Sequence, residues 1–150
     1  MKVLIVHPCK GFYGGAEEVV VQLSRYLLDN GHDIQIVTKD APEELLEALG
    51  SEKGQPAVYD WNSWKMMRWW TQKLVGWADV INVHNFPATL ATFPSKKPIV
   101  YMCNEPAELF TNWWRKPIEA FNRWWVKKSG MKVVVADEMQ AFRFYRIYGV

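Results

Sequence analysis

The segment Val3-Leu4-Ile5-Val6 is apolar at every position, so neither side of it can face water. A strand of that kind needs cover on both faces, the condition of an interior strand in a parallel α/β sheet. It runs from Lys2 to His7 and is followed at once by glycines and a helical pattern. From Ala16 to Leu28 the apolar residues Val19, Val20, Leu23, Leu27 and Leu28 recur at helical spacing, and Asn30-Gly31 supplies the stop. The alternation then continues. His32 to Thr38 reads as a strand, Pro42 to Gly50 as a short helix with acids in its first turn, and Ala57 to Asp60 as a minor strand. A helix capped by Asn62 or Ser63 runs to about Leu74. Strands follow over Asp79 to His84, Pro98 to Met102 and Lys132 to Ala136, with helices over Ala88 to Phe93, around Pro117, and over Glu138 to Tyr148.

Strand and helix in strict alternation give a doubly wound, Rossmann-like parallel sheet with right-handed crossovers. The 150 residues suffice for one such domain, and about half are apolar, enough to bury a single core. Eighteen basic against sixteen acidic side chains leave a net charge of +2, so bulk charge does not make this a polyanion binder. Cys9 and Cys103 stand far apart in the chain, outside any metal-ligand spacing, which predicts neither a disulfide framework nor a zinc site and fits a reducing cytosol. The first apolar run is too short for a secretory segment, and nothing approaches the roughly 20 apolar residues that cross a bilayer. A cytoplasmic location is expected.

Ligands of such sheets bind beyond the carboxyl ends of the strands. Those ends carry His7-Pro8-Cys9, Thr38-Lys39-Asp40, His84-Asn85, Cys103-Asn104-Glu105-Pro106 and Asp137-Glu138. After the first strand comes Gly11-Phe12-Tyr13-Gly14-Gly15-Ala16-Glu17. Glycines without Cβ let a ligand approach the backbone, and the positive end of the following helix favours a phosphate or carboxylate. The same residues also suit a tight turn into a helix. Their spacing matches neither the dinucleotide fingerprint nor a P-loop.

The ordered set Gly14-Gly15-Ala16-Glu17, Asp79-Val80-Ile81-Asn82-Val83-His84-Asn85, Pro98-Ile99-Val100 and Val133-Val134-Val135-Ala136-Asp137 resembles the N-terminal domain of a family 4, GT-B-fold glycosyltransferase. The resemblance implies a retaining sugar transfer, of the hexosyltransferase class, from a nucleotide-sugar donor to a glycan or lipid-linked acceptor, with no tightly bound cofactor and no metal. It makes residues 1–150 the acceptor-side domain. The C-terminal, donor-binding GT-B domain with its Glu-x7-Glu signature has no counterpart in this sequence, which would make the chain alone inactive. Gly14, Gly15, Ala16 and Glu17 correspond to the loop that meets the donor phosphates. His84 corresponds to a cleft-facing histidine, here expected to position the acceptor or handle a proton because imidazole titrates near neutrality. Glu105 is a candidate base for the acceptor hydroxyl, and Asn85 and Asn104 are expected in the acceptor cleft. Asp137 replaces a common serine of the family, with no role evident from the sequence.

Nine tryptophans gather in two basic segments. Trp61 to Trp77 holds Lys65, Arg68 and Lys73, and Trp113 to Lys128 holds Arg115, Lys116, Arg123, Lys127 and Lys128 against only Glu119. In the second, Trp114, Ile118, Phe121 and Trp125 fall on one helical face, which predicts packing on the sheet. Trp64, Trp69, Trp113, Trp124, Arg115, Lys116, Lys127 and Lys128 form the expected outer surface, for an anionic membrane or for a partner domain. Nucleic acid is not an expected partner. Two rival readings stay open: a non-catalytic module that docks on a membrane or subunit, and a nucleotide-dependent dehydrogenase domain with Asp40 as its ribose acid.

Overall fold

The computed structural model describes residues 1–50, 56–103 and 116–149. In chain order the elements are β1 (Lys2–Pro8), α1 (Gly15–Asp29), β2 (Asp33–Lys39), α2 (Glu43–Gly50), β3 (Ala57–Trp61) and α3 (Trp64–Val75), then β4 (Val80–His84), α4 (Ala88–Ala91), β5 (Ile99–Cys103), α5 (Lys116–Ser129), β6 (Lys132–Val135) and α6 (Glu138–Tyr148). Each strand expected from the sequence is present, with ends moved by a residue or two. Among the described residues they form one parallel sheet in the order β3-β2-β1-β4-β5-β6. The chain therefore reverses direction across the sheet between β1 and β4, and the crevice of such a fold opens above that pair.

The wholly apolar β1 is central because both of its faces are used. Val3 and Ile5 meet Val20 and Val21 of α1 and Leu45 and Leu49 of α2 on one side. Leu4 and Val6 meet Met67 of α3 and Ala88 of α4 on the other, in a core that extends through Tyr101 to Trp125, Phe144 and Tyr148. Helices α1 and α2 thus cover one face of the sheet, and α3 to α6 the other.

Local signals end the helices as their chemistry requires. Asn30 closes α1 before Gly31, whose φ of 73° is left-handed, and Gly149 closes α6 at a φ of 66°. Asp137 caps α6, its carboxylate accepting the Gln140 amide at 2.7 Å. That accounts structurally for a residue the sequence left without a role. Ser63 precedes α3 without a side-chain cap bond, and α4 stops at Ala91, short of Phe93.

The expected packing face of α5 is corrected. Trp114 lies outside the described residues, Ile118 and Phe121 are exposed, and the buried residues are Asn122, Trp125 and Val126. The actual seam is polar at its centre. Asn122 accepts the Thr89 hydroxyl and donates to the Tyr148 hydroxyl at 3.0 Å, while the Trp125 indole donates to Thr92 Oγ1 at 3.1 Å. A helical-face argument looks for apolar residues and passes over an asparagine with partners on two other helices.

Replacing Asn122 with Ala strands the Thr89 hydroxyl in the core and removes the Asn122 donor from the Tyr148 hydroxyl. The expected loss is about 2–3 kcal/mol of unfolding free energy, read from urea denaturation. A loss below about 0.5 kcal/mol would show that the seam does not depend on this residue.

Candidate functional site

Strand β1 ends at His7, and the first turn of α1 returns Glu17 directly to it. His7 Nε2 and Glu17 Oε1 lie 3.0 Å apart in a buried hydrogen bond. The other carboxylate oxygen accepts the Gly14 amide at 3.0 Å. One side chain thus ties the strand end, the glycine loop and the helix start together, in the manner of the acidic half of a capping box. Burial works against the Glu17 carboxylate, but the bonds from His7 and from the backbone amides of Glu17 and Gly14 outweigh it and hold the carboxyl below its ordinary range.

Glu17 is therefore the loop's anchor, buried and bonded to His7 and to the Gly14 amide. Helix geometry leaves the first amides of α1, at Gly15 and Ala16, without intrahelical acceptors. A Cβ built on Gly15 meets nothing within 4 Å, whereas one on Gly14 touches Glu17 Oε2 and Phe12 at 3.4 Å. The outer surface of the loop is open at Gly15.

His84, at the end of β4, stands beside His7 with ring centroids 5.2 Å apart, edge to face. Its Nε2 lies 2.6 Å from Asn82 Oδ1. The ring is fully buried, and that burial, with His7 next to it, pushes its pKa down to about 3. The sequence argument assumed titration near neutrality; the ring instead stays neutral at physiological pH. Asn85 follows at a φ of 57°, its amide donating to Met102 O at 3.0 Å, and is buried as well. Both residues are buried at the carboxyl end of β4.

The strand-end residues His7, Cys9 and Thr38, to which the sequence assigned a place but no role, complete this layer. Cys9 Sγ lies 3.1 Å from Thr38 Oγ1, and burial pushes the thiol up to about 12. One donor atom each from His7, Cys9 and Glu17 falls within 4.8 Å of the others, a nitrogen, sulfur and oxygen set able to hold a soft divalent ion. Cysteine spacing alone could not reveal it, because the set forms only when α1 folds back on β1. At 3.2 Å from the Asp40 carbonyl, the Gly11 amide joins the loop to the end of β2.

The remaining expected residues that the structure describes lie on α3 and α5. Trp64 stands at the start of α3 and Trp69 on its outer side, beneath Lys73 Nζ at 3.6 Å. Trp124, Lys116, Lys127 and Lys128 are exposed on α5. Asn104, Glu105, Trp113 and Arg115 lie outside the described residues. No described helix is long and apolar enough to cross a membrane.

The family model for glycosyltransferase family 4 matches residues 13–149. No curated protein matches the chain. Among solved structures, the FMN-dependent cysteine decarboxylase SpaF is similar at 15% identity and a TM-score of 0.52, covering 95% of this chain and 93% of that one. At that identity the likeness concerns the fold alone. Smu.1420 from Streptococcus mutans UA159 shares 13% identity over 99% of this chain and 97% of its own, at a TM-score of 0.45.

The state of His84 can be measured. Unfolded, its pKa is the ordinary 6.5, so below that pH the unfolded chain binds a proton the folded one refuses. Stability then falls with pH between 6.5 and about 3, by about 2 kcal/mol at about pH 5 from this group. His84→Gln is expected to remove that slope in urea unfolding. An NMR titration placing the His84 ring near 6.5 would contradict it.

Proposed function

Because the chain belongs to glycosyltransferase family 4, we propose that it is the acceptor-side domain of a retaining, GT-B-fold hexosyltransferase using a nucleotide-sugar donor. The acceptor is a glycan or a lipid-linked sugar. What carries this reading is the family match over residues 13–149 together with the glycine loop anchored at the sheet's reversal point by Glu17. A second domain supplies most of the grip on the donor nucleotide.

The chemistry follows from what each group can do. Loss of the sugar leaves negative charge on a nucleoside diphosphate. The amides of Gly15 and Ala16, at the positive end of α1, stabilise that charge without moving. His84, neutral and buried, acts as a positioning residue: with His7 and Asn82 it fixes the crevice floor on which Asn85 sits. Glu105, with Asn104 beside it, is assigned to receive the acceptor hydroxyl proton. The reading calls on no resident cofactor and no metal.

The dehydrogenase alternative has less support. Its glycine fingerprint is missing from the loop between β1 and α1. The docking alternative draws on α5. Ile118, Phe121 and Trp124 are exposed there, Trp124 at 49%, among Lys116, Arg123, Lys127 and Lys128. Aromatic rings among cations suit the headgroup layer of an anionic membrane, and we place the enzyme peripherally on such a surface, on the cytoplasmic side.

Two experiments test these assignments. In the enzyme carrying both domains, Gly15→Val is expected to abolish sugar transfer while leaving the melting temperature unchanged, because the added side chain enters open space; retained activity would remove the loop from the donor site. Exchanging Lys127 and Lys128 for Gln is expected to weaken co-sedimentation with phosphatidylserine vesicles by about 30-fold, near 1 kcal/mol for each cation. Equal binding of wild type and variant, or none by either, would exclude this face as the membrane contact.

A further inference from the structure

At the carboxyl ends of β2 and β3, on the side of the sheet covered by α3, lies a group of aromatic and paired charged residues that the transfer chemistry above does not use. Lys39 and Trp61 are register partners at the two strand ends. Trp61 and Tyr59 both stack on Trp70 of α3, with centroids 6.1 and 4.5 Å away. These three rings make a rigid wall, and nothing in it can turn without unstacking a neighbour. Trp64 stands at the start of α3, the helix that carries Trp70. Lys39 Nζ lies 5.4 Å from the centroid of the Trp64 ring, yet 43% of Trp64 remains exposed. The same Lys39 is paired with the Asp40 carboxylate. Asp40 holds a left-handed backbone at a φ of 52°, fixed by its amide bond to Trp61 O at 3.1 Å and by the Gly11 amide on its carbonyl.

We propose that Trp64, Lys39 and Asp40 form a sugar-binding platform for the acceptor. An exposed indole offers the flat apolar face on which the C–H face of a pyranose packs. The lysine and aspartate beside it supply a donor and an acceptor for vicinal hydroxyls. Because these two charges cancel, the platform suits a neutral polyol better than a phosphate. The hydrogen bond from Gly11 to Asp40 places it on the same rim as the glycine loop. The inference rests on the glycosyltransferase reading and adds to it a named subsite for the acceptor.

The chain labelled with 15N tests it, the Trp64 indole resonance being identified by its loss in Trp64→Phe. Methyl glucosides, methyl mannosides, methyl galactosides and N-acetylglucosamine are titrated to millimolar concentration. At least one of them is expected to shift the Trp64 indole N–H, with affinity reduced about tenfold or more in Trp64→Ala. Asp40→Asn, which tolerates the left-handed backbone, is expected to weaken the same saccharide. If no saccharide moves Trp64, or if Trp64→Ala binds as well as wild type, the platform is refuted. A Trp64 response to phosphatidylserine vesicles alone would assign the residue to lipid and refute it equally. Titration with UDP and GDP, read at the Gly14 and Gly15 amides, reports on the donor loop separately. A nucleotide response without a saccharide response defeats only the platform; a saccharide response without a nucleotide response leaves the platform standing, because the second domain supplies most of the grip on the nucleotide.

Discussion

The buried hydrogen bond between His7 and Glu17 is the contact on which the geometry of the crevice depends. It joins the end of the central strand to the first turn of the first helix. Through the second Glu17 oxygen it also fixes the glycine that precedes that helix. A glycine-rich loop has high conformational freedom, and amides that are to meet a developing charge without reorganising must be ordered beforehand. Here the ordering is done from beneath, by a carboxylate whose ionised form is stabilised by three neighbouring donors. The loop's outer surface stays open.

This arrangement divides labour within the motif Gly14-Gly15-Ala16-Glu17. Gly15 and Ala16 offer the amides, Gly14 packs against the anchor, and Glu17 is the anchor. The same division holds at β4. His84 and Asn82 are partnered inward, and burial keeps the imidazole neutral. Among the described residues, His7, Glu17 and His84 are buried and partnered inward, and they support the loop from beneath.

The sheet was legible from the sequence because its signal is local and redundant. The continuous apolar run of β1 and the helical spacing of α1 each require their own conformation, and the alternation of such segments leaves few topologies. The site was legible only in part. His84 and Glu17 could be picked out by position in the chain. Their burial could not, because it depends on His7 and Asn82, which carry no pattern of their own. The apolar face read for α5 misled in the opposite direction, at Ile118 and Phe121. Trp125 is indeed core, but Asn122 rather than Phe121 lies beside it on the buried face of α5. In α3 the rings sort by contact, Trp70 into the wall of β3 and Trp64 and Trp69 outward, although all three sit in one basic, aromatic stretch.

The central claim is that the loop anchored by Glu17 meets the donor's diphosphate. The most direct test is a crystal structure of the enzyme carrying both domains with a nucleoside diphosphate bound. The account predicts diphosphate oxygens within hydrogen-bonding distance of the Gly15 and Ala16 amides, with the His7–Glu17 bond intact beneath them. A diphosphate held entirely by the other domain, with the loop beyond hydrogen-bonding reach in the closed enzyme, would contradict it.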